Sequence, residues 1–307
     1  MNASGQNRLV TQIGSVVLPN PVLTASGTSG HGAELGAYFE LSRLGAIVVK
    51  SLAAFSWPGN PAPRLRPVGQ GMLNSVGLQG PGVRSWIDHD LPGLVRAKAR
   101  VVASIWGRTV AEFAEAARMV AEVANDLVAV EVNVSCPNLD DGEAMFAESP
   151  NATAAALEAA RACLRPCWAK LSPAVDDMVP IAKAAIDAGA EALVLVNTLP
   201  SGKWDPSLVS ELGAGSGGLS GPALRPIALR AIETVAANCD GVPIIGVGGI
   251  QTGADAFEFL SAGATAVEVG TAILADPRAP LRVLEELERL TRRRGPSGVG
   301  AEDRRHG

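Results

Sequence analysis

Short, unbroken apolar runs recur along the chain and alternate with amphipathic stretches. The runs are Val22–Ser26, Ala46–Ser51, Val101–Gly107, Ala129–Ser135, Trp168–Ser172, Ala192–Thr198, Pro243–Gly249 and Ala266–Thr271. Each is continuous rather than alternating, as a parallel strand buried on both faces requires. Between them, residues 109–125, 151–164, 176–188, 222–237 and 252–262 carry apolar side chains at three- and four-residue spacing, which predicts helices. Thr109, Asp176 and Thr252 are placed to cap three of these. The glycines of Gly45-Ala46, Gly189-Ala190 and Gly263-Ala264 are placed to end helices in the left-handed conformation.

Eight strand–helix units in one chain predict an α/β fold of the (β/α)₈ TIM-barrel type, a single domain over residues 1–307. Residues 1–8 and 293–307 read as flexible tails. An open doubly wound sheet fits less well, because no Gly-x-Gly-x-x-Gly follows the first run. Residues 52–100, rich in Pro and Gly, read as a lid insertion after the second strand or a short β excursion. Residues 211–218 form a second long, glycine-rich connection.

Composition narrows the function classes. A formal charge of −5, with no Lys/Arg cluster before the tail, argues against a nucleic-acid surface. No apolar stretch approaches the ~20 residues that span a bilayer, and Met1–Asn7 has no signal-peptide pattern. Four cysteines in so large a chain do not form a disulfide framework, so a cytoplasmic protein is expected. Cys163 and Cys167 lack the histidine or second pair of a metal site, and no metal is expected. Only three histidines are present, none in a recognisable triad, so cysteine, lysine and asparagine must carry more of the chemistry.

The strand ends hold that chemistry. Seven runs close at Ser26, Lys50, Ser104, Cys136, Lys170, Asn197 and Gly249, and Gly270-Thr271 closes the eighth. In a TIM barrel this rim is the active face. Residues 131–138, Glu-Val-Asn-Val-Ser-Cys-Pro-Asn, deliver two amides, a hydroxyl and a thiol to one point. Taken alone, Cys136 reads as a packed turn cysteine; with its neighbours it offers a proton-transfer or nucleophilic group. The glycines of 246–250 and 269–272 allow backbone amides to approach a phosphate. A lysine at the end of an apolar strand needs an anionic or electron-rich partner, which a flavin ring supplies. A lysine Schiff base is the rival use.

Several segments together resemble the class 1 dihydroorotate dehydrogenases. They include Asn20-Pro-Val-Leu-Thr-Ala-Ser-Gly-Thr, Gly71-Met-Leu-Asn-Ser-Val-Gly-Leu, Asn133-Val-Ser-Cys-Pro-Asn, Trp168-Ala-Lys-Leu-Ser-Pro, Gly217-Gly-Leu-Ser-Gly-Pro-Ala and Gly246-Val-Gly-Gly-Ile, in order over about residues 9–290. The resemblance implies an FMN-dependent oxidation of dihydroorotate to orotate in pyrimidine biosynthesis. Cys136 would be the general base, with Lys50 beside it. Substrate contacts would come from Lys50, Asn74, Ser75, Val76, Gly77, Leu78, Asn133, Asn138, Asn197 and Thr198. FMN would be held by Ala25, Ser26, Lys50, Ser51, Ser104, Asn133, Lys170, Val196, Gly221, Gly248, Gly249, Gly270 and Thr271. A site that uses Cys136 as base is expected to favour its thiolate.

Residues 26–32 and 59–64 look most like subtype B, which implies NAD as acceptor. The electrons would pass through an iron–sulfur flavoprotein subunit that carries FAD and a 2Fe-2S centre, and the core would be a homodimer. Ser104 departs from the asparagine usual in the family, Ser51 from threonine, and the acidic stretch 139–150 is atypical. A dihydropyrimidine dehydrogenase-like reductase of uracil or thymine is the nearest alternative. Those relatives carry histidine after Ser-Cys-Pro, where this chain has Asn138. A flavin-binding paralogue without the activity is the other.

Overall fold

A computed structural model describes residues 9–136, 144–201 and 212–294. Its strands are β1 (Thr11–Ile13), β2 (Val16–Leu18), β3 (Val22–Thr24), β4 (Ile47–Val48), β5 (Leu65–Val68), β6 (Gly71–Asn74) and β7 (Val101–Ile105). The remaining seven are β8 (Leu127–Asn133), β9 (Cys167–Lys170), β10 (Ala190–Leu195), β11 (Leu199–Ser201), β12 (Gly217–Ser220), β13 (Ile244–Val247) and β14 (Ala266–Val269). Every predicted apolar run overlaps one strand of an eight-stranded parallel sheet, in the order β3-β14-β13-β10-β9-β8-β7-β4. A parallel bridge between Leu23 and Ala46 joins its two ends, and the sheet is a closed (β/α)₈ barrel.

The helices lie close to the predicted stretches: Val110–Ala121, Pro150–Ala160, Met178–Asp187, Arg225–Asn238 and Gly253–Ser261. Thr109 caps the first, and Thr252 forms a reciprocal capping box with Asp255. The third helix starts later than its spacing predicts, so Asp177 rather than Asp176 accepts from the Val179 amide. Gly189 and Gly263 take the left-handed helix-end conformation; Gly45 does not, and is small instead because Asn20 and Val22 carbonyls crowd it. A final helix, Ala279–Arg294, includes the first two positions of the expected C-terminal tail.

Two apolar regions result. Strand faces and the helix ring form the larger one. The barrel interior, with Leu23, Val48, Val102, Ala129, Trp168, Val194 and Ile245, forms the other, and the β1–β2 hairpin adds Ile13, Val16 and Leu18 to it. Glu191 secures the turn of that hairpin by accepting from the Ser15 amide at 2.7 Å and hydroxyl at 2.6 Å.

The insertion after β4 is only partly a β excursion, since it also contains helices Val83–His89 and Leu91–Arg96. Its hairpin β5–β6 pairs with β11 and β12, from the connection after β10, in an antiparallel sheet ordered β11-β12-β6-β5. The two long connections are therefore one structure, joined where Gly218 pairs with Asn74. Among the described residues no helix is long and apolar enough to cross a membrane.

Candidate active site

The parallel strands end beneath this small sheet, and the two together enclose a cavity of about 410 Å³. Alternation along each strand decides what reaches it. On β8, Ala129, Glu131 and Asn133 point inward in turn. Ala129 packs in the barrel core, Glu131 forms a buried polar layer, and Asn133 reaches the cavity.

The cavity brings together most of the residues the sequence singles out. Ala25, Ser26, Lys50, Ser51, Asn74, Val76, Gly77, Leu78, Asn133, Lys170, Val196, Asn197, Thr198, Gly221, Gly248, Gly249, Gly270 and Thr271 all line it. Three do not. Ser75 is buried and accepts from Asn60 Nδ2 at 3.1 Å. Ser104 lies below the floor, 2.8 Å from both Ser51 Oγ and Glu131 Oε1. Cys136 is fully buried and donates to the Gly107 carbonyl at 3.0 Å. Asn138 and part of the acidic stretch 139–150 lie outside the described residues. Leu65, Met72 and Leu274 also line the cavity and are not apparent from the sequence. Their apolar character gave no sign that they would face a cavity.

A chain of amides and hydroxyls crosses the floor. Thr198 N donates to Asn197 Oδ1 at 2.7 Å, Asn197 Nδ2 to Asn133 Oδ1 at 3.2 Å, and Asn133 Nδ2 to Ser51 Oγ at 3.3 Å. Each amide is thus held in one orientation, with capacity left for a ligand. Ser135 also lines the cavity, and its buried Oγ has no hydrogen-bond partner among the described residues. A buried hydroxyl in that state favours a ligand that completes it.

Two lysines set the electrostatics. Burial, and then the nearby Arg64 charge, lower the Lys50 pKa. Desolvated and close to another cation, Lys50 favours an anion in the cavity. Burial also lowers the His31 pKa, to about 4, with the Lys50 charge adding to it, so this ring is neutral. Lys170 is fully buried, which opposes its charge, but two carboxylates prevail and raise its pKa. Its Nζ donates to Glu268 Oε2 at 3.1 Å, Glu131 Oε2 at 3.4 Å and Ser26 Oγ at 3.0 Å.

Cys136 departs from expectation. Burial pushes its thiol up to about 12, the opposite of a site that favours thiolate. The sulfur lies beneath the cavity lining, away from bulk water, where a charge is costly.

The glycine turns fit a phosphate-bearing group. Gly248, Gly249 and Gly221 all have positive φ, which side chains rarely adopt. A Cβ at Gly249 would come within 2.7 Å of the Gly221 carbonyl, and one at Gly270 within 3.2 Å of Ala25 Cβ. These positions bring bare backbone to the cavity wall. With Lys170 and the amide floor, they match an elongated ligand that is anionic at one end and a hydrogen-bonding ring at the other.

Comparison with known proteins agrees. A dihydroorotate dehydrogenase family model matches residues 8–291. A catalytic subunit of dihydroorotate dehydrogenase B (NAD(+)) from Alkaliphilus metalliredigens is 44% identical over 90% of this chain and 91% of its own. The protein of the same name from Geobacter sulfurreducens is 42% identical over 95% of both chains. A Solibacter usitatus protein provisionally named dihydroorotate dehydrogenase A (fumarate) is 46% identical over 94% of this chain and 95% of its own. The chain therefore belongs to the dihydroorotate dehydrogenase family, as a class 1 member most like subtype B and an oxidoreductase acting on dihydroorotate.

Proposed function

We propose that this cavity oxidises dihydroorotate to orotate with FMN, and that Cys136 is the base. The observation that carries this reading is the continuity of one cavity. It joins Lys50 and the amides of Asn74, Asn133 and Asn197 to the glycine turns after β13 and β14. The substrate offers a carboxylate and a ring imide. Lys50 suits the first, and the amides, as paired donors and acceptors, suit the second.

In this reading Gly221, Gly248, Gly249, Gly270 and Thr271 hold the phosphate end of FMN, while Ala25, Ser26, Ser51, Val196 and Lys170 face its ring. Held there, FMN would supply a hydride acceptor for substrate carbon six. Cys136 takes the proton from carbon five, and the two electrons of that C–H bond become the new carbon–carbon double bond. The buried thiol must first lose its own proton and gain access to the cavity. Lys50 fixes the substrate carboxylate during transfer. Ser104 supports Ser51 from below and does not touch the ligand, and Ser75 holds Asn60.

The final acceptor in this proposal is NAD, reached through a separate subunit carrying FAD and a 2Fe-2S centre. The names of the B-type relatives as catalytic subunits support it. A homodimeric core in the cytoplasm belongs to the same reading.

Release of the cofactor by heat, followed by chromatography, tests the assignment. FMN at near one per chain is expected. Titration of the holoprotein with orotate should then perturb the flavin spectrum saturably. A colourless protein that takes up no FMN, or a spectrum insensitive to orotate, would overturn it.

A further inference from the structure

The barrel core contains an ionic cluster whose two acids the reaction above does not use. Glu131, Lys170 and Glu268 come from β8, β9 and β14, and both acids are completely buried. Two carboxylates share one ammonium, so the cluster holds one more acid than base. Ser26, Ser104 and Lys170 supply its described hydrogen bonds. A second ionised carboxylate in the same buried cluster would be repelled by Glu131, which favours a proton on Glu268. The remaining oxygen, Glu268 Oε1, is buried without a partner. An ionised carboxylate would leave that oxygen charged and unsolvated; a carboxylic acid does not.

We propose that Glu268 is a charge-setting residue for the cofactor: it holds a proton beneath Lys170, and that proton keeps the lysine's charge available to the reduced flavin. The inference rests on the FMN reading above. With Glu268 protonated, Lys170 and Glu131 balance, and the cluster is neutral. Loss of the proton adds a negative charge one residue deep to the flavin site and opposes a negative ring. Conversely, an electron pair arriving at the ring raises the proton affinity of Glu268, so where Glu268 has lost its proton, reduction restores it. No proton is exchanged with substrate, and Glu268 acts only through Lys170.

Burial, against the pull of Lys170 and with the repulsion of Glu131, raises the Glu268 pKa to about 8. The charged groups that act on it are Lys170 and Glu131, both members of the cluster.

Two measurements test the proposal. Infrared titration of the purified protein in D₂O needs no flavin chemistry. The wild type should show a protonated-carboxyl band at neutral pH that fades through about pH 8 and is absent in Glu268→Gln. The second is the flavin midpoint potential against pH. Above about pH 8 the wild-type reduction equilibrium should fall an extra tenfold per pH unit, about 30 mV for a two-electron couple. Glu268→Gln should lack that extra slope while matching the wild type at lower pH. Absence of the band from the wild type, or its persistence in the variant, would overturn the proton assignment. Parallel potential curves would overturn its link to the cofactor. A protein that binds no FMN would instead sink the parent reading, and the infrared band would still decide the proton.

Discussion

Cys136 Sγ donates to the Gly107 carbonyl at 3.0 Å, and that contact turns the thiol away from the cavity its neighbours Asn133 and Ser135 line. The β8 strand thus presents an amide and a hydroxyl directly and keeps its thiol in reserve. As the proposed base, Cys136 is held neutral by burial, with its pKa pushed up to about 12, and is present as thiolate only in small proportion at neutrality. Dihydroorotate-dependent flavin reduction should therefore rise close to tenfold per pH unit from about pH 6 to about pH 9. Stopped-flow absorbance checks this, and a plateau below about pH 8 would show that substrate binding frees the thiol.

Substitution of the same residue follows. Cys136→Ser should retain FMN and lose roughly 10²–10⁴-fold in flavin reduction near neutrality, since a hydroxyl is a far weaker acid than a thiol. Reduction at the wild-type rate would remove Cys136 from the mechanism.

Lys50 should act on substrate more than on cofactor. Lys50→Met removes a charge whose neighbour is Arg64 rather than an acid, so folding should suffer little. A lost charge-assisted hydrogen bond is worth about 1.5–3 kcal/mol, or roughly 10- to 100-fold in orotate affinity. Spectral titration measures it, with FMN content as the control.

The glycine turns should be intolerant of a side chain. Gly249→Ala would push a methyl to within 2.7 Å of the Gly221 carbonyl at a backbone φ of +82°. Both effects distort the side of the cavity proposed to hold the cofactor. Weakened FMN retention is expected, readable as flavin lost on gel filtration, together with about 1 kcal/mol or more of stability.

The Glu131–Lys170–Glu268 cluster also predicts a pH dependence of folding. The Glu268 pKa is raised from 4.5 to about 8 on folding, so the native state holds a proton that the unfolded chain releases. Its contribution is complete below about pH 4.5 and is lost as pH rises through about pH 8. Glu268→Gln should therefore gain thermal stability relative to the wild type progressively across that range, with no gain at the acid end. Calorimetry at several pH values decides the sign.

Much of this architecture is visible in the chain itself, and the exceptions have physical reasons. Continuous apolar runs mark the eight barrel strands because parallel strands covered on both faces leave little room for polar residues. The small sheet above them is different. β12, Gly217–Ser220, has almost no side-chain pattern, and it pairs with Asn74 from a segment more than a hundred residues earlier. Local periodicity does not show such a pairing. Lys170 stands out at the end of an apolar run, but Glu131 and Glu268 lie within two others and acquire meaning only when the barrel closes. Asn74, Asn133 and Asn197 reach the cavity as their positions suggest, whereas Ser75, one residue on from Asn74, faces the opposite way. For Cys136 the motif indicates a thiol at the strand end, and only the structure gives its direction.

In the proposed reaction this one cavity removes a hydride and a proton from dihydroorotate. The most direct measurement adds dihydroorotate anaerobically to the purified holoprotein while recording flavin absorbance and orotate formed. Prompt bleaching is expected, with one orotate released per flavin reduced. A flavin that stays oxidised in the presence of excess dihydroorotate would contradict it.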